Sequence, residues 1–231
     1  MPRVLYYDIE CTDLDADFGN MIAFGYKWAG ESEAHVLSLL ETNPLCGECG
    51  RVDAVSDKPL VAAAWDVLAQ ADMWVTYFGK GFDLKFLNTR ILDAGLSPLP
   101  PTPHVDLYFT AKHHLKLSSN RLANVQDFLN LPTAKTPLTK RVWRQAQAGH
   151  VPSIRYIITH CEKDVLVLEE AYEKLKPYVR QHPALGRIGS CRVCRGTHLQ
   201  RRGPVVSKRG NLYRVACVDC GHWDTRVRGA D

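Results

Sequence analysis

Three strand-like runs crowd into the first forty residues: Val4–Glu10, Met21–Trp28 and His35–Leu40, with the Gly30 turn between the last two. Runs this close together pair as an antiparallel meander. Beyond them the pattern changes. Leu60–Ala71 has helical spacing, Met73–Tyr77 is a short apolar strand, Phe82–Ala94 is helical again, and His104–Tyr108 is a fifth candidate strand. Residues 41–58, with Pro44, Gly47 and Gly50, read as a loop, and the proline-rich segment 97–103 as a connector. Helical patterns follow at Leu122–Leu129 and Leu138–Ala148. Pro152 and Ser153 then open a long helix that runs to about Leu175 and stops at Pro177. A meander followed by alternating helix and strand predicts an α/β fold, a mixed five-stranded sheet with helices packed on it.

The 231 residues suffice for one full-sized domain and a small appendage. No apolar run approaches the roughly 20 residues needed to span a bilayer, so no membrane partner is expected. The first residues lack the layout of a signal peptide, and the expected location is cytoplasmic. Charge is distributed unevenly. Residues 178–231 hold eleven Lys and Arg against three Asp and Glu, whereas residues 1–177 hold eighteen against twenty-two. An acidic body with a basic tail predicts a polyanionic partner held by the tail.

Asp8 and Glu10 are two apart in a strand, so both side chains leave one face. Asp83 follows Gly79-Lys80-Gly81-Phe82 where strand becomes helix, a position equally suited to a helix N-cap. Asp164 lies in the long helix, one i,i+4 step after His160, among Ile157, Ile158, Cys161, Val165 and Leu168. Each acid alone has an ordinary structural reading. Together they form a set of hard oxygen donors that selects Mg²⁺ or Mn²⁺. Two such ions, about 3.5–4 Å apart, can serve an in-line phosphoryl displacement.

Asp8-Ile9-Glu10, Tyr77-Phe78-Gly79-Lys80-Gly81-Phe82-Asp83 and His160-Cys161-Glu162-Lys163-Asp164 resemble the three motifs of the DEDD 3′→5′ exonucleases. The likeness is greatest to the proofreading domain of B-family DNA polymerases and to related stand-alone phage and bacterial nucleases, and it covers residues 1–178. It implies an RNase H-like fold, with Asp8, Glu10, Asp83 and Asp164 holding two Mg²⁺ or Mn²⁺ ions. It also implies release of 5′-mononucleotides from single-stranded nucleic acid, with DNA favoured over RNA by the polymerase likeness. Two positions depart from the pattern. His160 stands at the spacing where the polymerase-like branch has Tyr, and is read as the residue that orients or deprotonates water; Tyr156, one turn earlier, is the weaker substitute. Phe78 stands where relatives usually carry Asn, and is read as a stacking surface for a terminal base.

Cys191-x2-Cys194 and Cys217-x2-Cys220, 22 residues apart, have the spacing of a four-cysteine zinc ribbon. This predicts a second domain over residues 186–231 with one structural Zn²⁺. Between and around the pairs, Arg201, Arg202, Lys208, Arg209, Tyr213 and Arg214 mix cations with an aromatic ring, as phosphate contact and base stacking require. A protein-docking role for the ribbon is the alternative. Cys46-x2-Cys49 has no second pair left to complete a site. It reads as an unliganded loop pair unless His35, His104 or another chain supplies ligands. For the whole chain, the competing functions are a nucleic-acid-binding adaptor on an inactive scaffold, and an RNase H-like endonuclease or exoribonuclease.

Overall fold

The computed structural model describes residues 2–134, 136–205 and 212–227. Strands β1 (Val4–Cys11), β2 (Met21–Trp28) and β3 (His35–Ser38) form the expected meander. Strands β4 (Met73–Thr76) and β5 (His104–Asp106) then add in parallel on the far side of β1, giving the order β3-β2-β1-β4-β5. This is the mixed five-stranded sheet predicted from the sequence, and β1 is its centre.

Alternation along β1 divides the core in two. Leu5, Tyr7 and Ile9 pack with Leu60, Ala64 and Leu68 of helix α2 (Lys58–Leu68) and with Phe86, Leu87 and Ile91 of α3 (Asp83–Asp93). Val4 and Tyr6 point the other way, into a cluster with Val165, Leu168, Ala171 and Tyr172 of the long helix. That helix spans Val151–Leu175, with Pro152 in its first turn, and a short 3-10 turn holding Pro177 follows it. Each fully buried large apolar side chain contributes about 1.5–3 kcal/mol, so both faces of the sheet are firmly covered. The period of two that buries Val4 and Tyr6 brings Asp8 and Glu10 out on the same face, at the strand's far end.

Smaller elements complete the body. β3 ends at Ser38, and Leu39–Thr42 turns into a single helical turn, α1, because Glu41 accepts a hydrogen bond from the Ser38 amide at its start. The strand expected to reach Tyr108 stops at Asp106. Its carboxylate accepts from the Tyr108 amide and starts a helix, α4 (Leu107–His114), that the sequence reading did not foresee. Helices α5 (Leu122–Leu129) and α6 (Lys140–Gln147) lie as expected, and the long helix is α7.

After α7 the chain forms an antiparallel three-stranded sheet, β6 (Leu199–Val205), β7 (Leu212–Cys217) and β8 (Trp223–Val227). His182 and His222 fasten this part to the body: the first meets the Tyr172 hydroxyl at 2.7 Å, and the second meets the Pro177 carbonyl at 3.2 Å. Among the described residues no helix is long and apolar enough to cross a membrane.

Candidate metal centre and nucleic-acid interface

β1 and β4 are paired only from Val4 to Tyr6. Beyond Tyr6 the chain after β4 turns away, and the edge of β1 at Asp8–Glu10 is left open. Such crevices outside the carboxyl ends of parallel strands are the usual ligand sites of α/β sheets. Asp83 closes part of this one. Its Oδ1 accepts a hydrogen bond from the Ile9 amide at 3.2 Å, a backbone donor that β4 would otherwise have taken. Phe82 holds the N-cap position of α3 and Asp83 the first helical one, so the capping role considered for Asp83 is not realised.

The loop that carries Asp83 is shaped by a residue the sequence reading passed over. Asp106, 5% exposed at the end of β5, accepts from the amides of Phe78 and Lys80, both at 2.9 Å. Those bonds hold Phe78 in the left-handed region at φ 68°, where its ring lies over Gly81; a Cβ on Gly81 would sit 2.5 Å from that ring. A bulky aromatic at positive φ is a strained choice. The Phe78 ring remains partly exposed and stands edge-on to Tyr108 at 4.7 Å. The available signal for Asp106 was an acid ending an apolar strand directly after a rigid connector.

α7 delivers the remaining residues. It crosses β2 at Gly25, the register partner of Asp8, and a Cβ there would lie 2.7 Å from Cys161 Sγ. Only glycine allows this approach. Cys161 in turn lies against the Asp8 carbonyl, and the pair Lys27–Glu169 ties β2 to the helix further along. As a result His160 Nε2 lies 3.3 Å from Asp164 Oδ2 and 3.6 Å from Glu10 Oε1. Ligand atoms of Glu10, His160 and Asp164 fall within 4.8 Å of one another, as do those of Asp8, Glu10 and Cys161. Tyr156 is turned away, its hydroxyl donating to the Pro137 carbonyl.

Burial raises all four acids, and at Asp8 and Glu10 the charges of the others add to it. Burial, and then the charges of Asp83, Glu10 and Asp164, raise the Asp8 carboxyl far above its ordinary range. Glu10 is raised by burial and by Asp164 and Asp83. Asp83 is pushed up to about 7 by burial, against the pull of its own and the Ile9 amides. Asp164 is raised by burial and partly relieved by His160. Among the described residues no Lys or Arg forms an ion pair with any of the four. Buried carboxylates without a cationic partner are costly, and an oxygen-rich donor set of this kind fits a hard divalent cation. Beside His160 and Asp164 opens a cleft of about 380 Å³, walled by Leu122, Gln126, Thr136, Leu138 and Val167.

The four ribbon cysteines form a second, equally compact cluster. Cys191, Cys194, Cys217 and Cys220 bring their sulfurs within 4.8 Å, with Cys194–Cys217 at 3.5 Å and Cys191–Cys220 at 3.7 Å. All four are free thiols. A tetrahedral zinc with Zn–S bonds of 2.3 Å separates its sulfurs by about 3.8 Å, so the cluster fits one such ion. His198 and His222, possible substitutes, are engaged elsewhere, with Asp219 and the Pro177 carbonyl. Arg201, Arg202 and Arg214 are exposed on β6 and β7, and the Arg201 guanidinium lies over the Tyr213 ring at 4.4 Å. These four belong to the ribbon sheet and not to the carboxylate site. Lys208 and Arg209 lie outside the described residues.

Comparison with known proteins identifies the fold. Residues 5–176 match a family described as the RNase_H superfamily. A family B DNA polymerase from the hyperthermophilic archaeon Pyrobaculum calidifontis has a similar fold, with a TM-score of 0.56 and 17% identity over 77% of this chain. The chain corresponds to only 25% of that polymerase's length. No curated protein matches the sequence.

Proposed function

This chain belongs to the RNase_H superfamily, and on that premise we propose that it is a metal-dependent 3′→5′ exonuclease that degrades single-stranded DNA to 5′-mononucleotides. One observation carries the reading: Asp8, Glu10, Asp83 and Asp164 converge on an open strand edge with no Lys or Arg paired to them among the described residues. Two Mg²⁺ or Mn²⁺ ions held by these four acids would stabilise the attacking and leaving oxygens of an in-line phosphoryl displacement.

The chain's own groups supply the rest. Asp8 and Glu10 project from a rigid central strand, Asp83 is fixed by the Ile9 amide, and Asp164 is fixed by the Gly25–Cys161 contact of α7. His160, beside Glu10 and Asp164, orients the attacking water and takes its proton. The cleft next to it receives the terminal nucleotide, and Phe78 offers a ring for stacking. The ribbon, folded around one structural Zn²⁺ on its four cysteines, holds the strand through Arg201, Arg202 and Arg214, with Lys208 and Arg209 adding charge. Tyr213, buried beneath the Arg201 guanidinium, supports that cation and does not stack on a base. The preference for DNA rests on likeness to a DNA polymerase fold.

A time course on DNA and RNA strands labelled at either end tests this reading. The expected result is Mg²⁺- or Mn²⁺-dependent release of mononucleotides from the 3′ end, faster on DNA. Unaltered substrate in both metals, or release from the 5′ end, contradicts it.

A further inference from the structure

The loop at Cys46 and Cys49 repeats the backbone of the two ribbon knuckles bond for bond. In each knuckle the first cysteine's amide donates to the carbonyl five residues on: Cys191 to Gly196, Cys217 to His222, and Cys46 to Arg51, at 2.8, 2.9 and 2.8 Å. In each, the amide four residues on returns a bond to that cysteine's carbonyl: Arg195, Gly221 and Gly50, at 2.9, 3.0 and 2.9 Å. The returning residue has positive φ in all three, at 67°, 75° and 63°. The Cys49 amide also points at Cys46 Sγ, at 3.3 Å. Amide donors aimed at a thiolate stabilise its charged form, which is the metal-binding form.

The loop is held rigid. Leu45 and Val52 form a bridge across its base, and the Val52 amide and the Arg51 guanidinium bond to the Gly149 and Ala148 carbonyls of the α6–α7 turn. The Asn43 side-chain Nδ2 donates to the Asp53 and Ser56 carbonyls. A preformed two-thiolate knuckle is half of a tetrahedral site. Among the described residues no third His, Cys, Asp or Glu groups with the pair. Neither His35 nor His104, the partners considered from the sequence, groups with the pair; their Nε2 atoms meet Glu31 and Thr76.

We propose that Cys46 and Cys49 form half of a thiolate zinc site that a second copy of this chain completes with its own Cys46 and Cys49. A two-fold axis through the ion gives four thiolates from two identical knuckles, the same knuckle-on-knuckle pairing that the ribbon achieves within one chain. Both cysteines are exposed. They border a groove of about 520 Å³ whose rim includes Leu45, 59% exposed, and Val55, 85% exposed. Apolar side chains placed so beside the thiolates supply area for a symmetric contact.

The test uses the full chain, purified with reductant and zinc, beside Cys46→Ser/Cys49→Ser. The wild type should be a zinc-dependent dimer by light scattering, and the variant a monomer with about half a zinc equivalent less per chain. Cobalt in place of zinc should give the wild type extra thiolate charge-transfer absorbance that the variant lacks. Nuclease activity per chain on a short strand should be equal in the two, which separates this site from the catalytic one. Equal zinc contents overturn the proposal. So does loss of a whole equivalent from a protein that is monomeric throughout, or a Cys46–Cys49 disulfide in place of bound metal.

Discussion

Asp83 accepts the Ile9 amide through one oxygen and lies near Asp8, Glu10 and Asp106, with its carboxyl raised by burial to about 7 against an ordinary 3.8. A carboxyl raised on folding keeps its proton in the folded state at a pH where the unfolded chain has lost it. Its contribution to stability is therefore full below about pH 4 and is lost as pH rises through about 7. Without Mg²⁺ or Mn²⁺, and with the ribbon zinc retained, thermal stability should fall over this window. Added Mg²⁺ or Mn²⁺ should raise the melting temperature more at pH 8 than at pH 5.5. Asp83→Asn keeps an acceptor for Ile9, so it should melt above the wild type at pH 8 in the metal-free state, while activity falls on the order of 10²–10³-fold. Calorimetry across pH, paired with rates, checks both halves. For His160→Ala the expected loss is at least about 10²-fold in kcat, with little change in strand affinity. A change in affinity alone would make His160 a packing residue.

At the scale of elements, α7 and the α3 junction decide whether the acids meet. Gly25→Ala places a methyl 2.7 Å from Cys161 Sγ and must push α7 outward. Overpacking of this kind costs about 1–3 kcal/mol, and because α7 carries His160 and Asp164, activity should fall with it. Cys161→Ala in the same chain removes the obstructing sulfur and should restore part of both losses. Arg90 of α3 binds Asp57, a fully buried acid, and also reaches the Ala16 carbonyl and Asn20 of the acidic loop after β1. Arg90→Ala would strand Asp57 without its cation, at a cost of about 3–5 kcal/mol measurable by urea unfolding. Much of this level was legible in the sequence. Short runs of apolar residues marked β1, β2 and β4, and the helical spacing of α7 placed His160 and Asp164 on one face. Asp106 and helix α4 were not legible, because the role of Asp106 depends on amides 26 and 28 residues away. The purpose of Gly25 was hidden for the same reason: its neighbour Cys161 arrives from a distant helix. In the cysteine pairs, spacing marked the ribbon, but only backbone geometry related the Cys46 loop to it.

For the whole molecule, the proposed function assigns cutting to the acidic body and holding of the strand to the basic ribbon. Removing Arg201 and Arg202 together should weaken strand binding without changing kcat at saturation. It should also lower the slope of log K against log salt by up to about 1.4, as two phosphate contacts on a single strand require. Fluorescence anisotropy at several salt concentrations reads this directly. The claim on which the rest depends is that four acids at the open edge of β1 bind divalent metal and cleave from a 3′ end. The most direct measurement compares linear and covalently closed circular single-stranded DNA with Mn²⁺, using the wild type and Asp8→Ala. The wild type should reduce the linear strand to mononucleotides and leave the circle whole, and Asp8→Ala should leave both untouched. Opening of the circle, or undiminished digestion by Asp8→Ala, would contradict it.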